Sequence, residues 1–160
     1  MTPPVLLAAA LAQTTPTPKL PPANPVPYTD VDAANVLLPV NALLSAIAAG
    51  DSAALLAQVR PDGSATAALE RPDGTRAVRR MSWPDFAAQI KPGPERYAER
   101  LLDPAVETDG DIAMVWSPYV FTINGRVDHC GADHFDLVRE NNRWRVLNVT
   151  WSQRNTGCEG

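Results

Sequence analysis

The sequence predicts an α+β fold, with short helices packed on one face of a curved antiparallel sheet. Three observations carry this reading. The C-terminal third, 107–152, reads as three long strands joined by Asn124-Gly125 and Asn141-Asn142, dipeptides suited to two-residue hairpin turns. Upstream, Val40, Leu43, Leu44 and Ile47 fall at i, i+3, i+4 and i+7, one face of a helix. Between them lie a small strand pair and a further helix, and helices followed by a meander are the order of a layered α+β domain.

The N-terminus comes first in the chain. Residues 5–12 form an apolar run, and Ala10-Leu11-Ala12 matches the small-x-small pattern of a signal-peptidase site. A signal peptide over 1–12 is expected, although it lacks a basic start, and export to the periplasm or beyond is expected with it. The run is too short to span a membrane. Residues 13–28 are proline-rich and read as an extended linker. Residues 29–160 are then one α+β domain, long enough for a real core.

Thr29 or Asp30 starts a helical stretch, and Pro39 suits a first turn, so a long kinked first helix is expected. Gly50 stops it, and Asp51 or Ser52 caps a short helix with Leu55, Leu56 and Val59. Pro61-Asp62-Gly63 reads as a turn. Segments flanking Arg71-Pro72-Asp73-Gly74 form a hairpin. Ser82 caps a third helix, with Asp85 in capping-box position and Trp83, Phe86 and Ile90 on one side. Residues 96–106 are assigned as strand, because Asp109-Gly110 makes another hairpin with the strand that starts at Asp111.

The meander spans 111–123, 126–139 and 143–151. Counting outward from its two-residue loops sets His129, Asp133 and Phe135 on one face with Trp116, Asn148 and Thr150. The same count puts Glu99 two strands away from His129, with Val120 between. These seven residues are the expected pocket, greasy at one end and polar at the other. The opposite face carries Tyr119, Phe121, Leu147, Val149 and Trp151, too apolar for plain exposure, and predicts a homodimer.

The register also brings the tail beside Cys130, where Cys158 can fold back and form a disulfide; two free thiols in a cytosolic protein are the alternative. A net charge of -4 and a pI near 5.1 exclude a nucleic-acid partner, and the arginines of 76–80 and 143–145 read as solvated strand faces.

The segments Asp109-Gly110-Asp111-Ile112-Ala113, Val115-Trp116-Ser117-Pro118-Tyr119, His129-Cys130-Gly131-Ala132-Asp133-His134-Phe135 and Trp144-Arg145-Val146, with the trailing Cys158, carry a resemblance. From about Pro39 to Cys158 the chain resembles bacterial proteins of the nuclear transport factor two-like superfamily, in a branch named for lumazine binding. The resemblance implies a cone-shaped, cystatin-like α+β fold with a deep pocket between helices and curved sheet. It implies no single function, since that superfamily holds isomerases, dehydratases, cyclases and binding modules alike.

The leading functional expectation is an exported domain that binds a small hydrophobic or aromatic molecule. The second is a cofactor-independent isomerase, dehydratase or cyclase using His129 with a carboxylate, Asp133 or Glu99. The third is a dimerising interaction domain without catalysis. His129 could equally satisfy buried polarity by bonding to Asp133 or to a backbone carbonyl. No cofactor is expected. A metal site at His129, Cys130, Asp133 and His134 is disfavoured, because alternate strand residues point to opposite faces. No nucleophile elbow, phosphate loop or dinucleotide fingerprint occurs.

Overall fold

The computed structural model describes residues 30–158. The expected signal peptide and the linker lie outside the described residues. The elements run α1 (Asp30–Ala49), α2 (Ser52–Leu56), β1 (Val59–Glu70), β2 (Arg76–Ser82), α3 (Trp83–Ala87), β3 (Tyr97–Leu101), β4 (Ala105–Asp109), β5 (Ile112–Ile123), β6 (Arg126–Glu140) and β7 (Arg143–Gln153).

The helices form where local signals and apolar spacing agree. α1 runs unbroken through Pro39. A proline inside a helix forfeits one backbone bond. Here the face bearing Val36, Val40, Leu43 and Ala46 is buried against the sheet and offsets that loss. By length and composition Asp32–Ala49 is apolar enough to cross a membrane, but that same face belongs to the core. Asp51 caps α2, its Oδ1 accepting from the Ala54 N–H at 2.9 Å. Ser82 caps α3 in the expected way, accepting from the Asp85 N–H at 3.2 Å. α3 is shorter than the apolar spacing suggests, so Ile90 lies beyond it in a turn.

The sheet has seven strands in the order β2-β1-β7-β6-β5-β3, with β4 also on β5. Two expectations need correction. Pro61-Asp62-Gly63 is no turn but an irregularity within β1, where pairing with β7 jumps between Val59 and Ser64. The sheet is not wholly antiparallel, since β1 and β7 run parallel. The long path between them, through the whole meander, permits that geometry. Residues 96–106 are strand, as expected, but split: Asp103, with φ 54°, breaks the run between β3 and β4.

Two one-residue bulges decide which side chains face inward. Near the first hairpin, Thr122 pairs with Val127 but Phe121 pairs with His129, leaving Asp128 extra. Near the second, Leu137 pairs with Val146 but Asp136 pairs with Asn148, leaving Leu147 extra. Each slip exchanges the faces of everything beyond it. The inner face therefore carries Val115, Ser117 and Tyr119 of β5 opposite Phe135, Asp133 and Gly131 of β6.

Long-range contacts hold both bulges. The Trp83 indole N–H donates to the Leu147 carbonyl at 2.9 Å, and a Cβ on Gly63 would lie 1.6 Å from that same oxygen. Only glycine admits so close an approach. At the other bulge, the Asn155 amide donates to the Asp128 carbonyl at 2.9 Å. Gly131 then lets β7 pass, since a Cβ there would lie 1.8 Å from the Ser152 carbonyl oxygen.

Cys130 and Cys158 are joined, with Cα atoms 5.6 Å apart and a sequence separation of 28. The bond closes the tail onto β6, beside the backbone pairing of Cys130 with Arg154. Replacing Cys158 with serine is expected to cost roughly 3 kcal/mol through regained loop entropy in the unfolded chain. The urea midpoint with and without reductant measures it. A midpoint indifferent to reduction would contradict a stabilising role for the bond.

Candidate functional site

A cavity of about 210 Å³ lies between α1, the α3 segment and the inner face of the sheet. Its walls are apolar. Leu43, Leu44 and Ile47 come from α1, Phe86 and Ile90 from α3 and the turn after it, and Phe121, Phe135, Val149 and Trp151 from the sheet. Its polar groups are few: Glu99, His129, Asp133 and Gln153.

The α1 and α3 residues are the apolar faces that the helical spacing marks. The aromatic wall is tied into the core by edge contacts, Trp83 to Phe86 at 6.1 Å and Phe86 to Trp151 at 5.9 Å between ring centroids. Trp151 reaches the cavity because the Leu147 bulge turned it inward, opposite Asp133.

Glu99 and Asp133 are the chemical centre. Their carboxyl groups lie within hydrogen-bonding reach of each other. Asp133 is 3% exposed, and its Oδ2 receives no hydrogen bond from any N–H or hydroxyl among the described residues. Burial raises both carboxyls well above the usual carboxylate range. The negative charge of Glu99 and its hydrogen bond raise Asp133 further, whereas the hydrogen bond with Asp133 lowers Glu99. Both carboxyls are thus pushed toward the protonated form, and their proximity couples their titration. The neighbouring Tyr119 phenol is raised by burial and by both carboxyls; its hydroxyl donates to the Ser152 carbonyl at 3.0 Å.

His129 stands apart from this pair. Its ring stacks on Phe121 at 4.6 Å and meets the Tyr119 ring edge-on at 5.7 Å. Its Nδ1 lies 2.8 Å from Asp128 Oδ2. Adjacent strand residues normally point to opposite faces; the bulge lets these two meet. The carboxylate partner of His129 is therefore Asp128, which alternation along the strand concealed, and not Asp133 or Glu99. The lateral row does survive in shifted form: Glu99 pairs with Phe121, which pairs with His129.

Of the seven expected pocket residues, Glu99, His129, Asp133 and Phe135 line the cavity. Trp116, Asn148 and Thr150 do not. Trp116 is 51% exposed on the outer face, packed against His134 at 6.2 Å. Asn148 Oδ1 accepts from the Ser64 N–H at 3.1 Å, and Thr150 is exposed beyond it. The two bulges reversed these positions. They reversed the supposed dimer patch as well: Tyr119 and Val149 are buried, and Phe121 and Trp151 line the cavity. Phe121, Val149, Trp151 and Gln153 are the sheet residues that counting from the hairpins misses. No local signal marks Gln153. Among the described residues no cluster of three or more His, Cys, Asp or Glu is placed to hold a metal ion.

No family model and no curated protein matches the chain. Solved structures do. A protein from Novosphingobium aromaticivorans, described as nuclear transport factor two-like with a cystatin-like fold, aligns with a TM-score of 0.61 at 18% identity, covering 80% of this chain and 85% of that one. A nuclear transport factor two-like protein from Cytophaga hutchinsonii aligns with a TM-score of 0.60 at 15% identity, covering 79% and 100% respectively. A Nostoc punctiforme protein of unknown function with a cystatin-like fold gives 0.59 at 11% identity, covering 80% and 95%. The chain has the nuclear transport factor two-like, cystatin-like fold: a curved sheet wrapped around helices, with a cavity where the two meet.

Proposed function

We propose that this protein binds a small, largely apolar molecule, of one or two rings, in the cavity between α1, α3 and the sheet. The observation that carries the reading is the cavity's composition, an aliphatic and aromatic wall around a buried Asp133 and a half-buried Glu99. Ligand pockets are built this way, with few polar groups fixing orientation. A volume of about 210 Å³ exceeds the engineered ~150 Å³ cavity that admits benzene, so one or two rings fit. The resemblance of 129–135 to a branch named for lumazine binding supports planar heteroaromatics as a first group to test. The Cys130–Cys158 bond supports a setting outside the reducing cytosol.

The test is a ligand-observed NMR screen of one- and two-ring aromatics against the wild type and Ile47→Trp, which fills the cavity at its half-buried helical wall. Binding by the wild type and its loss in the variant are expected. Absence of any hit, or equal binding by both proteins, would overturn the reading.

A second reading is cofactor-independent proton transfer, as in an isomerase, dehydratase or cyclase. The specific observation favouring it is a pair of adjacent carboxyls on the cavity wall, both raised above the ordinary range by burial, a setting suited to a general acid and base. In this reading Asp133 gives the proton, Glu99 takes one, and His129 forms the wall. Self-association is a further proposal, now through the outer face of β5, where Ile112, Met114 and Trp116 are 59%, 38% and 51% exposed.

A further inference from the structure

The cavity holds two carboxyls and one imidazole, but no lysine or arginine. Leu43, Leu44, Ile47, Phe86 and Ile90 of the helical side carry no charge, and no Lys or Arg lines the wall. From β3 comes Glu99; from β6 come Asp133 and His129. His129 Nδ1 is engaged by Asp128. On β5, the Tyr119 hydroxyl is spent on the Ser152 carbonyl, and Arg154 of the tail, which acts on Tyr119, is exposed. The carboxyl pair therefore faces apolar groups with no Lys or Arg on the cavity wall to offset any charge it carries. Such a charge is costly to bury without a partner.

What the pair offers a ligand is also one-sided. Carboxyl oxygens are chiefly hydrogen-bond acceptors. Asp133 Oδ2 is buried and receives none from any N–H or hydroxyl among the described residues. Phe86, Phe121, Phe135 and Trp151 line the same cavity, and aromatic faces attract cations.

We propose that the ligand is a small organic ammonium, its N–H groups donating to Asp133 and Glu99 and its apolar body lying among Phe86, Phe121, Phe135 and Trp151. This deepens the pocket reading above and rests on it. On binding, the ammonium replaces a proton held by the pair, which leaves to the buffer. The complex then holds one cation against two carboxylates, and binding strengthens as pH rises from the acid side until the amine itself deprotonates.

Isothermal titration with 2-phenylethylamine and its neutral isostere 2-phenylethanol, at pH 7 in buffers of differing ionisation enthalpy, tests the proposal. The amine is expected to bind at least tenfold more tightly than the alcohol, with release of up to one proton. Asp133→Asn and, independently, Glu99→Gln are expected to erase that preference. Alcohol binding equal to or tighter than amine binding overturns the ammonium assignment and leaves the pocket standing. Binding of neither probe overturns the pocket and the assignment together. An amine preference that survives both substitutions places the cation elsewhere and also overturns the proposal.

Discussion

Replacing Trp83 with alanine is expected to destabilise the protein by about 4 kcal/mol, the range found for truncating a buried large aromatic. The side chain is fully buried, and its N–H is the donor to the Leu147 carbonyl at the second bulge. Truncation opens a cavity and strips a donor from a partly buried carbonyl, a further cost of about 1 kcal/mol. Trp83→Phe separates the two effects, because it keeps an aromatic ring and loses the donor. Urea denaturation of both variants measures them. A loss below about 1 kcal/mol in Trp83→Ala would mean that the bulge holds without it. The consequence reaches the site, since that bulge is what turns Val149 and Trp151 toward the cavity.

The second large effect is on pH dependence. Asp133 and Glu99 are both raised above the ordinary carboxylate range, chiefly by burial. In the unfolded chain they release their protons near pH ~4. Above that pH the unfolded state binds fewer protons than the folded state, so stability falls as pH rises. The stabilising contribution is fully present below the unfolded values and is lost as pH climbs through the raised folded ones. A slope of up to ~1.4 kcal/mol per pH unit is expected while one proton is held. Asp133→Asn is expected to flatten that slope and to be more stable than the wild type above pH 7. Thermal melts from pH 5 to 9 check it. A wild type whose stability rises over that interval would contradict a raised pair.

Much of this was legible in the sequence, for identifiable reasons. Capping residues, hairpin dipeptides and the apolar spacing of α1 are local signals, and they located the elements. Cys130 and Cys158 were legible because the tail has only a few residues in which to return to β6. His129, Asp133 and Phe135 were placed together because alternation along β6 is unaffected by what its neighbours do, and Glu99 joined them through the count across β5.

Trp116, Asn148 and Thr150 were misplaced for one cause. A bulge adds a single residue and leaves no composition behind. The contacts that hold the two bulges come from Trp83, 64 residues before Leu147, and from Asn155, 27 residues after Asp128. No count outward from a turn contains them. Gly131 serves the passage of Ser152 and does not mark the bulge, which sits at Asp128. The Asp128–His129 contact was hidden by the same rule of alternation that elsewhere served well.

The central claim is that Glu99 and Asp133 form a coupled carboxyl pair, raised by burial, inside a ligand cavity. The most direct measurement is the carboxyl carbon chemical shift of each residue, in protein labelled at aspartate and glutamate, followed from pH 4 to 9 and assigned with Asp133→Asn and Glu99→Gln. The account predicts that one proton remains on the pair at pH 7, that the two signals titrate together, and that either substitution changes the titration of the other. Two independent carboxyls, both fully ionised below pH 5, would contradict it.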